Sequence, residues 1–139
     1  MKYLLDTCVI SELIKPGKDN KIIEWIQNKA ENSLFISVLT LGEIHKGISK
    51  LPDSQRKESL RTWVDNDLKR RFASRILEIS EEIATTWGEI QAKSEKDGKK
   101  MPVIDSLIAA TAIKKNLIVV TRKIKDIENS GCKSINPWE

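Results

Sequence analysis

Three acidic residues, Asp6, Glu43 and Asp105, stand where carboxylates are hard to explain as surface chemistry. Asp105 lies in the most apolar stretch of the chain, Met-Pro-Val-Ile-Asp-Ser-Leu-Ile-Ala-Ala-Thr-Ala-Ile, from Met101 to Ile113. These neighbours predict a helix that is hydrophobic nearly all round, and such helices are buried. An ionised carboxylate there is costly unless its charge is compensated. It can be neutralised, paired with a base, or bound to a metal, and no Lys or Arg stands within a helical turn of it in sequence. A helix dipole contributes only roughly 1 kcal/mol at a first-turn position. Asp6 ends an apolar run, Tyr-Leu-Leu-Asp-Thr, and Glu43 follows another in Ser-Val-Leu-Thr-Leu-Gly-Glu-Ile. Taken singly, each reads as a helix cap or a dipole partner. Three such acids brought together repel one another unless a divalent cation sits between them, and on that view neutralising Asp105 raises the stability of the metal-free protein. A cation so held serves phosphoryl transfer, because it activates water and offsets charge on phosphate oxygens.

The elements that must position these acids alternate along the chain. Strands are expected at Lys2 to Leu5, Leu34 to Ile36, Ile76 to Ile79, Leu117 to Val120 and near Lys133 to Ile135. Short helices are expected at Val9 to Ile14 and Asn20 to Asn28. Ser37 or Thr40 caps a helix with Leu41, Ile44, Ile48 and Leu51 at helical spacing. Another runs from about Ser54 to Arg71 and buries Leu60, Trp63, Val64 and Leu68. Ser80 opens a helix with Ile83, Trp87 and Ile90 on one face, ending at Gly98, and Pro102 opens the buried helix of Asp105. Strands alternating with helices predict a three-layer α/β/α sandwich around a mostly parallel sheet of four or five strands. In such folds the working site lies beyond the carboxyl ends of the strands. That edge receives Asp6, Glu43, Asp105 and the segment Thr121 to Lys123.

The 139 residues suit a single domain with its own core. A hydrophobic fraction of 40% and a charged fraction of 32% fit a soluble globular chain, with no apolar run of membrane-spanning length. The N-terminus lacks a signal-peptide pattern, and Cys8 and Cys132 make neither a disulfide framework nor a zinc site, so the cytoplasm is the expected compartment. The single histidine, His45, excludes chemistry built on several imidazoles and is expected at the surface or at a partner. The net charge of +4 is unevenly spread, with nine Lys/Arg and three Asp/Glu between Lys93 and Lys125. Lys99, Lys100, Arg122, Lys123 and Lys125 can face a polyanion such as RNA, or simply solvent. Asp126 can be a fourth acid of the site or an ordinary surface residue. The four Trp residues are expected in core or dimer packing.

Two other chemistries fit less well. Aspartate-nucleophile phosphatases need a second Asp two positions after the first, and here that position is Cys8. A response-regulator-like phosphoacceptor lacks the paired acids expected after the first strand.

Taken together, Leu-Leu-Asp-Thr-x-Val-Ile-Ser-Glu-Leu, Ser-Val-Leu-Thr-Leu-Gly-Glu-Ile, Pro-Val-Ile-Asp-Ser-Leu-Ile-Ala-Ala-Thr-Ala, Val-Val-Thr-Arg and the terminal Asn-Pro-Trp resemble a PIN-domain ribonuclease. The closest resemblance is to the toxin subunit of VapBC-type toxin–antitoxin systems, from residue 3 to the C-terminus. It implies one PIN-like nuclease domain over residues 1–139, with Asp6, Glu43 and Asp105 as the acidic core holding Mg²⁺ or Mn²⁺. It also implies a toxin homodimer, an RNA substrate, and an antitoxin whose C-terminal segment covers the acidic groove. Two positions depart from the pattern. Cys8 stands where the family usually has Asn, and Lys123 where it usually has Asn or Asp after Thr-Arg. Asp126 then supplies the missing oxygen, or the site holds one metal, or activity is reduced, or Lys123 stabilises charge on the scissile phosphate. The alternative is a nucleic-acid-binding regulator with a degenerate metal site.

Overall fold

Five short parallel strands form the central sheet. The computed structural model describes residues 1–139. The strands are β1 (Tyr3–Leu5), β2 (Leu34–Ser37), β3 (Ile76–Leu77), β4 (Ile118–Val120) and β5 (Ser134–Ile135). Their spatial order is β3-β2-β1-β4-β5, and all four pairings are parallel. The chain therefore winds outward from β1 through β2 to β3. It then returns to the other side of β1 as β4 and β5. The reversal falls between β1 and β4, the crevice where open parallel sheets place their sites.

Side-chain alternation along the strands sends successive residues to opposite faces. Tyr3, Leu5, Leu34, Ile36 and Val120 pack on one side with Ile10, Ile22, Ile44, Val64 and Phe72. That face is covered by α1 (Thr7–Glu12), α2 (Asn20–Gln27), α3 (Val38–Ser49) and α4 (Gln55–Thr62). Leu4 and Val119 point to the other side and meet Met101, Ile108, Ala109, Ala112 and Ile127. There the cover is α6 (Glu81–Lys96), α7 (Val103–Lys115) and the short α8 (Ile124–Ile127). The three layers and the parallel sheet agree with the sequence patterning, with five strands realised. No helix is long and apolar enough to cross a membrane.

Local chemistry sets the helix boundaries. Ser37 caps α3 by accepting from Leu39 N at 3.0 Å, and Ser80 caps α6 by accepting from Ile83 N at 3.2 Å. Pro102 occupies the start of α7, and Asn116 ends it in the left-handed region at φ 57°. The helix expected from about Ser54 to Arg71 does run through, but not as one regular α-helix. After α4 it widens into a π-helical turn, Trp63–Leu68, and closes as α5 (Lys69–Arg71). This change of pitch keeps Val64, Leu68 and Phe72, spaced by four, on the buried side. The third strand is shorter than expected, because beyond Leu77 nothing pairs with the chain at that sheet edge.

Candidate active site

Asp6 follows β1 and caps α1, so its position is set by backbone before any chemistry is asked of it. Its Oδ1 accepts from Thr7 N at 2.8 Å and its Oδ2 from Thr121 Oγ1 at 2.8 Å. The residue is only 4% exposed. Thr121, fully buried just past β4, also accepts from Lys123 N at 3.0 Å. One hydroxyl thus ties the ends of the two central strands together. Thr7 does the same toward α3, because its hydroxyl donates to Glu43 Oε1 and lies 3.4 Å from Thr40 Oγ1. Both threonines fall beside residues singled out in sequence, but a hydroxyl that orients a carboxylate leaves no separate pattern there.

Asp105 occupies the first turn of α7, and its side chain is 9% exposed. Sequence reasoning found no nearby base because it counted along the helix. The base comes from the other side of the crevice. Lys123 Nζ donates to Asp105 Oδ1 at 2.8 Å. Partial burial disfavours the Lys123 ammonium. The hydrogen bond to Asp105 and the charges of Asp6, Asp105 and Glu43 outweigh it and hold the amine above the usual lysine range. All three acids therefore act on one ammonium. No three His, Cys, Asp or Glu side chains converge closely enough to enclose an ion. The cation that Asp105 pairs with is Lys123, and the charges of Asp6 and Glu43 reach it too.

Cys8 belongs to this neighbourhood too. Its Sγ lies 3.8 Å from Asp6 Oδ2 and 3.7 Å from Thr121 Oγ1. Burial, above all, raises the thiol's pKa, and the charge of Asp6 adds to it, so Cys8 is neutral at pH 7. Cys132 is likewise raised by burial.

The basic candidates divide into two groups. Arg122, Lys123 and Lys125 line one cavity of about 440 Å³ together with Asp126. Lys99 and Lys100 are exposed in the connection between α6 and α7. Arg122 is partly engaged, since it lies 3.4 Å from Glu12 Oε1 and its guanidinium stacks 4.3 Å from the Trp138 ring centre. Glu12 was not anticipated from the sequence. It is 3% exposed, and also accepts from Asp19 N at 3.2 Å and pairs with Lys15 at 3.4 Å. Asp126 is exposed on α8, and its side chain makes no hydrogen bond to Asp6, Glu43 or Asp105. His45 lies 3.5 Å from Asp65 on the outer side of α3.

Beside Glu43 runs a second cavity of about 570 Å³, lined by Thr7, Leu39, Gly42, Lys46, Gly47 and Ile104 among others. A Cβ on Gly42 or Gly47 would meet nothing within 4 Å. These glycines therefore line an open groove, not a packed contact.

Residues 3–123 match the model of the PIN domain. The chain belongs to the PIN-domain family. This PIN domain is 35% identical over 136 residues to the plasmid stability protein StbB of Pseudomonas syringae, covering 98% of each chain. It is 30% identical to the VapC ribonuclease Y4jK of Sinorhizobium fredii, over 98% of this chain and 97% of the relative. It is also 30% identical to the toxin FitB of Neisseria gonorrhoeae, over 97% of each. The crystal structure of FitAcB from Neisseria gonorrhoeae superposes with a TM-score of 0.93 at 29% identity, covering 99% of both chains. The similarity to a PIN-domain toxin read from the motifs therefore holds over nearly the whole length.

The donor set of this PIN domain suits a hard divalent cation. Asp6, Glu43 and Asp105 offer only oxygens, as Mg²⁺ and Mn²⁺ prefer. Glu43 and Asp105 each use one carboxylate oxygen within the protein and leave the other free. In donor type the residues fit the ion, and to hold one the three side chains would have to draw together as Lys123 withdraws.

Proposed function

We propose that this protein is an endoribonuclease that depends on Mg²⁺ or Mn²⁺ and acts as the toxin of a toxin–antitoxin pair. The observation that carries this reading is the group of Asp6, Glu43 and Asp105 around the β1–β4 crevice of a PIN domain whose relatives include a VapC ribonuclease and the toxin FitB. Asp6, Glu43 and Asp105 would hold the ion, which would supply Lewis-acid activation of water and offset charge on the scissile phosphate. Thr121 and Thr7 fix the orientation of Asp6 and Glu43, so two of the three ligands are set before the ion arrives. The burial of Asp6 and Asp105 keeps water away from the carboxylates and strengthens their field. Lys123, Arg122 and Lys125 hold the RNA backbone at the adjoining cavity, and Lys99 and Lys100 extend the basic surface. Asp126 stands at the rim of that cavity and can supply an outer oxygen to the ion.

The groove beside Glu43 is where a segment of an antitoxin would cover the acidic site, with apolar side chains against Leu39 and Ile104 and acidic ones against Lys46 and Lys50. The structure of FitAB bound to an IR36 DNA fragment matches this chain with a TM-score of 0.93 at 28% identity. That likeness supports a cognate antitoxin for this chain. The working assembly in this reading is a toxin homodimer with its antitoxin, acting on RNA in the cytoplasm.

The test is direct. Purified protein is incubated with RNA in chelator and then with Mg²⁺ or Mn²⁺, and internal cleavage is read on a gel. Cleavage restored by the ion and abolished in Asp6→Asn supports the reading. The Lys123–Asp105 ion pair favours a second reading, a nucleic-acid-binding regulator with a degenerate site. RNA or DNA binding without any metal-dependent cleavage would establish that one.

A further inference from the structure

We propose that Lys123 is a tethered counter-cation of the acidic site, which a divalent ion must displace in order to bind. The proposal rests on reading Asp6, Glu43 and Asp105 as the metal-holding set. Three observations carry it. The Lys123 ammonium sits 2.8 Å from Asp105 Oδ1, where it takes up lone-pair capacity that an ion would use. The backbone of Lys123 is fixed on both sides, by Lys123 N on Thr121 Oγ1 at 3.0 Å and by Asp126 N on Lys123 O at 3.0 Å. Its side chain is nonetheless 42% exposed, against 9% for Asp105. A pinned backbone with a half-solvated arm is a lever: the amine can leave the crevice while the loop stays in place.

Charge decides the exchange. Three carboxylates and one ammonium carry a net −2, which is tolerable in a crevice with three further donors already on Asp6 and Glu43. Adding a divalent cation beside a retained ammonium would set like charges a few ångströms apart at low dielectric. The favourable state with metal is the one in which Lys123 has swung toward the cavity it shares with Arg122 and Lys125. The protein then alternates between a closed, internally paired site and an open, metal-holding one. Apparent metal affinity is the intrinsic affinity scaled by the population of the open state.

Calorimetric titration of MnCl₂ into the metal-free full chain tests this. Lys123→Met and Lys123→Gln should bind Mn²⁺ about tenfold more tightly or better, as expected when nine-tenths of the wild type is closed. Lys123→Arg should stay close to wild type. In chelator the Met and Gln variants should melt below wild type, and saturating Mn²⁺ should raise their melting temperature more than it raises that of the wild type. Circular dichroism establishes that the variants are folded. Should they fail to fold, the wild type alone decides, through the NMR signal of the Lys123 ammonium, which should lose its bond to Asp105 as Mg²⁺ is added. Equal Mn²⁺ affinity in wild type and folded Met or Gln variants overturns the proposal and leaves the metal site standing. So does a Lys123 signal unmoved at saturating Mg²⁺. Absence of binding in every variant overturns the metal site itself.

Discussion

Asp105→Asn is the substitution on which two lines of reasoning disagree in sign. If the three acids merely repelled one another, removing one charge would stabilise the metal-free protein. The structure argues the reverse. Asp105 Oδ1 lies 2.8 Å from Lys123 Nζ, a direct ion pair, whereas none of its hydrogen bonds brings another carboxylate against it. Coulomb energy falls with distance, so the short attraction outweighs the longer repulsions. A hydrogen bond to a charged group contributes about 1.5–3 kcal/mol when well desolvated. The Lys123 side chain is 42% exposed, which lowers that toward the range of surface pairs and leaves about 1 kcal/mol. For a domain of this size that is a drop of roughly 3–5 °C in Tm. Thermal unfolding in chelator at pH 7 measures it, and a cycle with Lys123→Met isolates the pair. The pH dependence follows from the raised Lys123 amine. Its stabilisation is complete below the ordinary lysine value of 10.5 and is lost as pH rises through the higher folded value. The difference between wild type and Asp105→Asn should therefore be flat from pH 6 to about 9. A variant that melts at or above wild type in chelator would refute the reasoning.

Four further outcomes are expected. Thr121→Val should keep the fold but release Asp6 Oδ2 and Lys123 N, lowering metal affinity or cleavage by about 10–100-fold in metal titrations and RNA assays. Neutralising Lys99, Lys100 and Lys125 should each reduce the salt slope of RNA binding by about one, read by fluorescence anisotropy over a range of KCl. Glu31, just before β2, pairs with Arg71 at 3.0 Å and with Arg75 at 2.9 Å, and Arg71, foremost, and Arg75 lower its carboxyl, so Glu31→Gln should destabilise by about 0.5 kcal/mol at pH 7. That stabilisation is present above the ordinary carboxyl value and lost as pH falls through the depressed one, so acid titrations of the two proteins should converge at low pH. Cys8 should alkylate with iodoacetamide at pH 7.5 more slowly than a free thiol, since burial holds it protonated, and denaturant should abolish the difference.

The elements were legible because their patterns are local. Short apolar runs located four of the strands and the Lys133 to Ile135 segment the fifth, Ser80 was readable as a helix start from type and place, and Ser37 was one of two candidate caps with Thr40. The widened turn at Trp63–Leu68 was not, since a change of helical pitch leaves no residue signature. Phe72 lies just past that helix and is fully buried, four residues on from Leu68, and was passed over because the helix was expected to end at Arg71. The acids were found one by one from their surroundings, and the strand order needed to join them followed from fold logic. Long-range partners could not be read in this way. Lys123 meets Asp105 across 18 residues and two elements, and Arg122 meets Glu12 across 110 residues. Counting charges near Asp105 along the helix therefore missed the one that neutralises it.

The placement of β1 at the centre of the sheet has a consequence for synthesis. The first strand emerges from the ribosome early, yet one of its two partners, β4, begins at Ile118. Until then Asp6 has no Thr121, and Asp105 has no Lys123. A nascent chain, or a product of premature termination, carries a central strand with one open edge and half an acidic crevice. Such non-local pairings fold late. The crevice between β1 and β4 is therefore complete only once the segment Thr121 to Lys123 has been made.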